Sequence, residues 1–402
     1  MKLEGERVTL GVTGGIAAYK AAELVRLMVR AGLKVRIVMT PNATRFVTPL
    51  TFQTLSLSQV RVDTFEPVAP DRVEHVALAQ ETDLLVVAPA TANILAKMAR
   101  GVADDLLSTF YLAYGGTTLV APAMNTQMYL HPATQENLEI LRKRGVVVLE
   151  PKEGELACGD YGPGRFPEPP YILERVLGLL YQKDFHGKAF LVTAGPTREY
   201  LDAVRFISNP SSGKMGFAIA REARRRGARV YLVSGPTHLE PPWGVEYIPV
   251  TSAQEMYQRV LDLYSGVDVV IKAAAVADFR PKPLAEEGAK FKKEGRDGLL
   301  IELEANPDIL AILGENKEHQ VLVGFAAESQ DLLENALAKL ARKNLDMIVA
   351  NEVSMGFASD TNRVVILKRD GTLRHLPLMS KEAVAEAILD EVAGLLRGDK
   401  SR

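Results

Sequence analysis

The chain has 402 residues, more than the about 250–300 at which a single hydrophobic core stops growing, so it predicts two domains. A hydrophobic content of 47% and a charged content of 24% are typical of a soluble globular protein. The net charge of −2 excludes the basic footprint of a nucleic-acid or anionic-membrane binder. No apolar run is long enough to span a bilayer, Met1–Arg7 lacks a signal-peptide core, and there is one cysteine, so we expect a cytoplasmic protein.

The first half of the sequence alternates short apolar runs with helical patterns. Helices are predicted at Ala17–Ala31, Ile94–Arg100 and Pro132–Arg144. Strands are predicted at Val8–Val12, Val35–Met39, Leu84–Ala88, Thr118–Ala121 and Val146–Leu149. Strands that are apolar throughout and alternate with helices indicate a parallel sheet covered on both faces.

The pattern breaks at Pro151–Pro170, resumes with a helix near Tyr171–Gln182, and starts again after Asp184–Gly187. The later elements are predicted at Ala189–Thr193, Lys214–Arg226, Arg229–Ser234, Val267–Lys272, Val321–Phe325, Met347–Ala350, a hairpin of Val364–Lys368 with Thr372–Leu376, and a helix at Lys381–Leu396. The fold class is therefore α/β, with two doubly wound, Rossmann-like or flavodoxin-like, three-layer domains and mainly parallel sheets. We expect domains at residues 1–185 and 186–402, with ligands at the C-terminal ends of the strands.

The first strand end carries adjacent glycines. Gly14 and Gly15 allow backbone N–H groups to approach an anion where a helix begins, and Thr13 adds a hydroxyl. The middle glycine of the dinucleotide motif is replaced by Thr13, and the second strand end, at Thr40, has no acidic residue for a ribose. A phosphate-bearing ligand such as a mononucleotide fits better than NAD, and a tight turn without a ligand is the alternative.

Polar side chains also follow the next strands. Thr91 and Asn93 offer neutral hydrogen-bonding groups, although either could simply cap the following helix. Asn125 has the donor and acceptor needed to fix a carboxylate or an amide. His75, one of six histidines, could act as a base near neutral pH or could be structural.

The single cysteine, Cys158, lies in a glycine- and proline-rich stretch that we predict to be a mobile loop, neither a helix nor a central strand. There a thiol can reach a ligand or react. A lone cysteine cannot form an intrachain disulfide, and the alternative is an exposed thiol without a role.

The second half has a glycine-containing segment, Ser208–Gly216, before a predicted helix. It does not match the phosphate-loop motif, because Ser208 replaces the first glycine and Met215 replaces the Ser or Thr. The start of this helix could still bind an anion. Lys339 and Lys343 share one helix face, and Lys290 lies in a basic cluster. With Asp278, these lysines suggest a metal–triphosphate site, and solvated surface lysines are the alternative.

The first half resembles the flavin-containing cysteine decarboxylases, and in particular the decarboxylase half of the bacterial bifunctional coenzyme A biosynthesis family. The resemblance rests on Gly14–Gly15, His75, Pro122–Met128 and Ala157–Gly159, in that order. It implies FMN-dependent decarboxylation in which Cys158 donates a proton, His75 acts near the substrate carboxylate or thiol, and Asn125 holds the carboxylate. The implied flavin contacts are Thr13, Gly14, Gly15, Ile16, Thr40, Thr91 and Asn93.

The second half is similar to the phosphopantothenate–cysteine ligases of the same family. The matching segments are Arg205–Asn209, Ser211–Gly216, Ala273–Asp278, Lys290–Lys293, Asn306–Ile309, Gly324–Glu328 and Arg342–Asp346. The resemblance implies CTP contacts by Ala273, Ala274, Ala275, Asp278, Lys290, Asn306, Pro307, Asp308, Ile309, Phe325, Lys339 and Lys343. It also implies that Asn209 and Arg205 serve an acyl-cytidylate, with Lys290 as the main electrostatic catalyst and Asp278 as a Mg²⁺ ligand.

The resemblance therefore implies one enzyme that uses CTP to join 4′-phosphopantothenate to cysteine, and then FMN to decarboxylate the product to 4′-phosphopantetheine. It also implies a homo-oligomer, with FMN between the subunits of trimers that ligase dimers join into a dodecamer. The alternatives are a flavin-binding regulatory subunit without turnover and a nicotinamide oxidoreductase, which the missing dinucleotide motif disfavours.

Overall fold

The computed structural model describes residues 5–65, 73–156, 159–282, 300–328, 332–352 and 360–398. The chain divides into two compact units, the first ending at Tyr181 and the second beginning at Gln182. Within the described residues, no helix has both the length and the apolar character that a membrane crossing requires.

The first unit is built from alternating strands and helices. Its strands are β1 Arg7–Val12, β2 Lys34–Met39, β3 Val60–Arg61, β4 Leu84–Ala90, β5 Thr117–Pro122, β6 Val147–Val148, β7 Lys152–Glu155 and β8 Tyr161–Arg165. Its helices are α1 Ala18–Arg30, α2 Pro49–Ser56, α3 Glu74–Gln80, α4 Ala92–Arg100, α5 Leu106–Ala113, α6 Thr126–Leu130, α7 Pro132–Lys143 and α8 Pro169–Leu180, with a short 3₁₀ turn at Ala43–Arg45.

The main sheet of this unit is parallel in the order β3-β2-β1-β4-β5-β6. Alternate residues of a strand enter opposite cores: Val86 packs into one cluster with α1 and α8, and Val87 into another with α4, α5 and α7. The strand order reverses between β1 and β4. The ends of these two strands therefore flank the crevice where a doubly wound sheet binds its ligand.

The second unit repeats this architecture and extends it. Its strands are β9 Ala189–Ala194, β10 Arg198–Tyr200, β11 Phe206–Ser208, β12 Arg229–Ser234, β13 Glu246–Pro249, β14 Val269–Lys272, β15 Phe279–Pro281, β16 Leu303–Ala305, β17 Val321–Glu328, β18 Met347–Glu352, β19 Thr361–Lys368 and β20 Leu373–Ser380. Its helices are α9 Lys214–Arg225, α10 Ala253–Tyr264, α11 Ile309–Glu315, α12 Leu332–Arg342 and α13 Lys381–Gly398.

The main sheet of the second unit runs β13-β12-β9-β14-β17-β18-β19-β20. The strands from β13 to β18 are parallel, whereas β19 and β20 add an antiparallel edge. The order again reverses at one place, between β9 and β14. The predicted α/β class with mainly parallel sheets is confirmed in both units.

The structure differs from the sequence prediction at the short and irregular elements. Strand β6 has two residues instead of the predicted Val146–Leu149. The stretch around Cys158 was expected to be a loop, but its described parts, β7 and β8, pair as an antiparallel hairpin outside the main sheet. The hairpin requires glycine at two positions, because Gly154 and Gly164 have φ of 157° and 125°, which other residues rarely adopt.

Candidate functional site

A cavity of about 700 Å³ opens at the C-terminal ends of β1 and β4, where the strand order reverses. Several residues singled out from the sequence line it, namely Gly14, Gly15, Ile16, Thr91 and Asn125. The other lining residues are Ala17, Tyr19, Lys20, Pro89, Ala92, Ala123, Met124, Met128, Glu155, Leu156, Gly164, Arg165 and Phe166. Five separate segments of the first unit thus converge on one concave site of the size that takes a cofactor.

In the glycine turn after β1, Gly14 has no room for a side chain, whereas a Cβ on Gly15 would make only an ordinary van der Waals contact. A Cβ on Gly14 would lie 2.5 Å from Cβ of Asn42, and one on Gly15 would lie 3.5 Å from the Thr91 methyl group. Thr13 differs from expectation, because its buried hydroxyl donates to the Pro89 carbonyl at 2.7 Å and accepts from the Thr91 N–H at 3.1 Å. Its side chain therefore ties β1 to the segment after β4 rather than facing the cavity.

Of the two predicted residues after β4, Thr91 lines the cavity and Asn93 does not. Thr91 is the N-cap of α4, where its hydroxyl accepts from the Ile94 N–H at 3.4 Å, and it also lines the cavity. Asn93 is exposed on α4, and Thr40 is buried at the end of β2. Neither Asn93 nor Thr40 belongs to the described cavity wall.

Asn125 is held in one orientation at the cavity wall. As the N-cap of α6, it accepts the Gln127 N–H on Oδ1 at 2.8 Å, so that the oxygen is fixed toward the helix. Its Nδ2 donates to the Asp160 carboxylate at 2.9 Å. The amide donor of Asn125 is thus already bound to a carboxylate, which is the chemical group that the sequence predicts it to hold.

The β7–β8 hairpin docks on the segment that carries Asn125. The Met124 N–H donates to the Gly164 carbonyl at 3.0 Å. A Cβ on Gly164 would lie 2.3 Å from the Met124 carbonyl oxygen, and one on Gly162 would lie 2.8 Å from the Thr126 side chain. Sequence reasoning missed these glycines and Asp160, because their partners are more than thirty residues away in the chain.

The rim of the cavity carries two cations. The Lys20 ammonium lies 3.3 Å from the Glu168 carboxylate, and the Arg165 guanidinium lies 3.0 Å from the same group. Both cations line the cavity. Glu155 also lines the cavity, so Glu155 and Glu168 balance the two cations and the rim has no net charge.

The remaining predicted residues of the first unit are not brought together. His75 is the second residue of α3, is partly buried, and does not contribute to the described wall of the cavity. Cys158 lies outside the described residues. The assignments of His75 and Cys158 to the reaction stay predictions.

In the second unit, predicted nucleotide residues meet beside the end of β14. Asn209 Nδ2 donates to the carbonyls of Ala275 and Val276 at 3.2 and 3.3 Å. Asn306 Nδ2 donates to the Ala277 carbonyl at 2.9 Å, and its N–H donates to the Asp278 carbonyl at 2.8 Å. Two asparagines therefore brace the Ala273–Asp278 segment from different parts of the chain.

A second group of predicted residues surrounds the ends of α11 and α12. Asp308 is the N-cap of α11, and Lys343 bonds its carboxylate at 2.6–2.8 Å. Lys339 donates to the Phe325 carbonyl at 2.9 Å, and Phe325 follows Gly324, the β17 residue that pairs with Lys272 at the end of β14. Because β17 lies beside β14, these cations reach the same strand edge as the alanine segment.

Lys272 links the two groups and was not predicted from the sequence. It is the last residue of β14, and its pKa is lowered to about 8, chiefly by burial and then by repulsion from Lys339 and Lys343. Asp308 and Asp278 oppose that shift. A signal was available, because a lysine ends an otherwise apolar buried strand.

The other predicted residues of the second unit have varied positions. Asp278 is exposed, as a carboxylate that meets a solvated cation should be, but no cluster of three or more metal-ligating acids, histidines or cysteines occurs in the described ranges. Arg205 lies in the turn between β10 and β11, 3.4 Å from the Asp202 carboxylate. Lys290 lies outside the described residues.

Two family models together match most of the chain. The Flavoprotein model matches residues 1–181, and the model of the DNA/pantothenate metabolism flavoprotein C-terminal domain matches residues 185–396.

Individual relatives match both halves at once. The chain is similar to the coenzyme A biosynthesis bifunctional protein CoaBC of Bacillus subtilis (strain 168), with 48% identity over 99% of this chain and 100% of the relative. The protein of the same name from Escherichia coli (strain K12) is 45% identical, over 98% of each chain. A solved C-terminal domain of a CoaBC protein is 46% identical and covers 54% of this chain and 100% of its own, with a TM-score of 0.47.

Proposed function

The chain belongs to the family of coenzyme A biosynthesis bifunctional proteins, and we propose that it makes 4′-phosphopantetheine from 4′-phosphopantothenate and cysteine in two steps. Residues 186–402 form the CTP-dependent ligase, and residues 1–185 form the FMN-dependent decarboxylase. The amide made by the ligase is the substrate of the decarboxylase. The observation that carries the proposal is the cavity that gathers Gly14, Gly15, Thr91 and Asn125, in a chain matched by both family models.

The first cavity fits FMN. Its volume of about 700 Å³ is that of a pocket for a ligand of this size, and the bare Gly14–Gly15 turn allows a ligand to approach the backbone at the start of α1. Gly14, Gly15, Ile16 and Thr91 would contact the cofactor, and Thr13 would hold their loop in place. FMN, when bound, supplies the oxidation of the substrate thiol and the later return of a hydride.

The chain's own residues would bind the substrate and control one proton. Nδ2 of Asn125 would donate to the substrate carboxylate, since Oδ1 is fixed on α6. Loss of CO₂ leaves an electron pair on carbon, to which the Cys158 thiol would donate a proton. His75 would act on the site of a neighbouring subunit, a role consistent with its position away from its own cavity.

The ligase would activate a carboxylate that is otherwise a poor electrophile. The carboxylate of 4′-phosphopantothenate attacks the α-phosphate of CTP and releases pyrophosphate, and the amine of cysteine then displaces CMP from the acyl-cytidylate. Lys290, Lys339 and Lys343 would stabilise the charge on the phosphate oxygens. Asn209 and Arg205 would hold the acyl-cytidylate. The remaining nucleotide contacts would be Ala273, Ala274, Ala275, Asn306, Pro307, Asp308, Ile309 and Phe325.

A Mg²⁺ ion would accompany the triphosphate. Mg²⁺ is usually held by one or two carboxylates with phosphate oxygens and water, so the exposed carboxylate of Asp278 in the nucleotide segment suits it. The ion would lower the charge on the phosphate oxygens during attack.

We further propose a cytoplasmic homo-oligomer, a dodecamer of decarboxylase trimers joined through ligase dimers. Exposed apolar side chains in the first unit, including Leu57 at 88% and Val73 at 60% exposure, support burial against other subunits. The expected partners are the small molecules 4′-phosphopantothenate, cysteine and CTP, without nucleic acid or membrane.

Two separate measurements test the proposal. Purified protein should show a flavin absorption spectrum, and the ligase step should form the cysteine amide with CTP and Mg²⁺ while releasing CMP and pyrophosphate. A yellow protein with no CTP-dependent product and no decarboxylation of added amide would contradict the enzyme and favour a flavin-binding regulatory subunit. A colourless protein that forms the amide would contradict the decarboxylase half alone.

A further inference from the structure

The hydrogen bond between Asn125 and Asp160 places a carboxylate of the protein on the donor that the substrate carboxylate would use. Asn125 Nδ2 donates to Asp160 Oδ2 at 2.9 Å. The amide cannot turn its oxygen outward instead, because Oδ1 already accepts the Gln127 N–H at 2.8 Å. The free protein therefore presents this amide with a carboxylate in position.

The hairpin backbone fixes this contact. Asp160 immediately precedes β8, and β8 is bonded to the Asn125 segment through the Met124 N–H and the Gly164 carbonyl. The absence of a side chain at Gly162 allows β8 to approach Thr126 closely. Asp160 is exposed, so its carboxylate can leave the amide and be solvated at little cost.

We propose that Asp160 is a positioning residue that competes with the substrate carboxylate for Asn125, and thereby lowers the affinity for the substrate without changing the affinity for the carboxylate-free product. The proposal rests on the proposed decarboxylase function. Nδ2 has two N–H groups, but two carboxylates held on the same amide nitrogen repel each other, so substrate binding displaces Asp160. After CO₂ leaves, Asp160 returns to Nδ2, and the product lacks the group that would oppose it.

The consequence is a selective change in affinity. A hydrogen bond to a charged acceptor at an exposed site contributes modestly, so removing the competitor should lower the KM for the substrate by about three- to tenfold. The inhibition constant of 4′-phosphopantetheine should change by less than about twofold, because the product has no carboxylate. The substrate KM of Asp160→Asn should lie between those of the wild type and Asp160→Ala, since the uncharged amide oxygen of Asn is a weaker acceptor than a carboxylate.

The test is steady-state decarboxylation of 4′-phosphopantothenoylcysteine, with 4′-phosphopantetheine as the inhibitor. Glu153→Ala is the matched control, because it removes one negative charge from the exposed side of the same hairpin. If Asp160→Ala raised the affinity for substrate and product equally, or if Glu153→Ala lowered the substrate KM as much as Asp160→Ala does, the effect would be one of general charge and the proposal would be overturned. A raised KM in Asp160→Ala, with ligase activity intact, would overturn it as well. A wild-type protein that does not decarboxylate the substrate would instead contradict the proposed function.

Discussion

Replacing Gly164 by alanine should separate the two activities of the chain. Gly164 has φ of 125°, which costs an L-residue about 1–3 kcal/mol. The new Cβ would lie 2.3 Å from the Met124 carbonyl oxygen, so the two segments must part by about 1 Å to reach ordinary contact. That movement endangers the Met124–Gly164 hydrogen bond, which contributes about 0.5–1.5 kcal/mol. The total is about 1.5–4.5 kcal/mol, below the about 5–15 kcal/mol stability of an ordinary domain.

The expected outcome is a folded protein with a displaced Asn125. Since a misplacement of about 1 Å can cost about 100-fold in rate, decarboxylation should fall 10- to 100-fold while ligase activity changes less than about twofold. Gly178→Ala is the matched control, because a Cβ at this position of α8 meets no atom within 4 Å. Its decarboxylation should equal that of the wild type. A Gly164→Ala protein with the wild-type decarboxylation rate would refute the idea that the hairpin positions Asn125.

Three further predictions concern the second unit. Because the pKa of Lys272 is about 8 in the free protein, kcat/KM for CTP should fall as the pH rises through 8 and the ammonium loses its charge. In Lys272→Met, kcat/KM for CTP should be about tenfold below that of the wild type at pH 7 and should not change between about pH 7 and pH 9. Arg226 is nearly buried and donates to Asp184 and Asp390 at 2.9 and 2.8 Å. Replacing it by Met should lower the free energy of unfolding of the second unit by about 2–3 kcal/mol, as measured by calorimetry. This loss is below the about 3–5 kcal/mol of a fully buried pair, because the Asp390 side chain is 40% exposed. Asp278→Asn should raise the Mg²⁺ concentration for half-maximal ligase activity about tenfold, and an unchanged requirement would remove Asp278 from the metal site.

The sequence predicted the long elements well because their physics is local. Val8–Val12 and Val230–Ser234 are buried on both faces and mostly apolar, and Gly32 and Gly227 lie just after the first helix of each unit. The two-residue strand β3 carries too little pattern to be recognised from its own residues. Strand β6 was predicted as Val146–Leu149, but only Val147 and Val148 pair with β5.

The candidate sites were predictable only in part. Gly14, Gly15 and Asn125 follow strand ends, and the convergence of strand ends in a parallel sheet brings them together. The partner of Asn125 could not be predicted, because Asp160 approaches through a hairpin whose docking depends on Gly162 and Gly164. The hydrogen bond of the Thr13 hydroxyl could not be predicted either, because its acceptor, the Pro89 carbonyl, is 76 residues away in the chain.

The proposed function requires that one chain performs both reactions in sequence. The most direct measurement is mass analysis of products after incubating the purified protein with 4′-phosphopantothenate, cysteine, CTP and Mg²⁺. The expected product is 4′-phosphopantetheine, with one CMP, one pyrophosphate and one CO₂ released for each molecule formed. Accumulation of the undecarboxylated amide in flavin-loaded protein, or no CMP release at all, would contradict it.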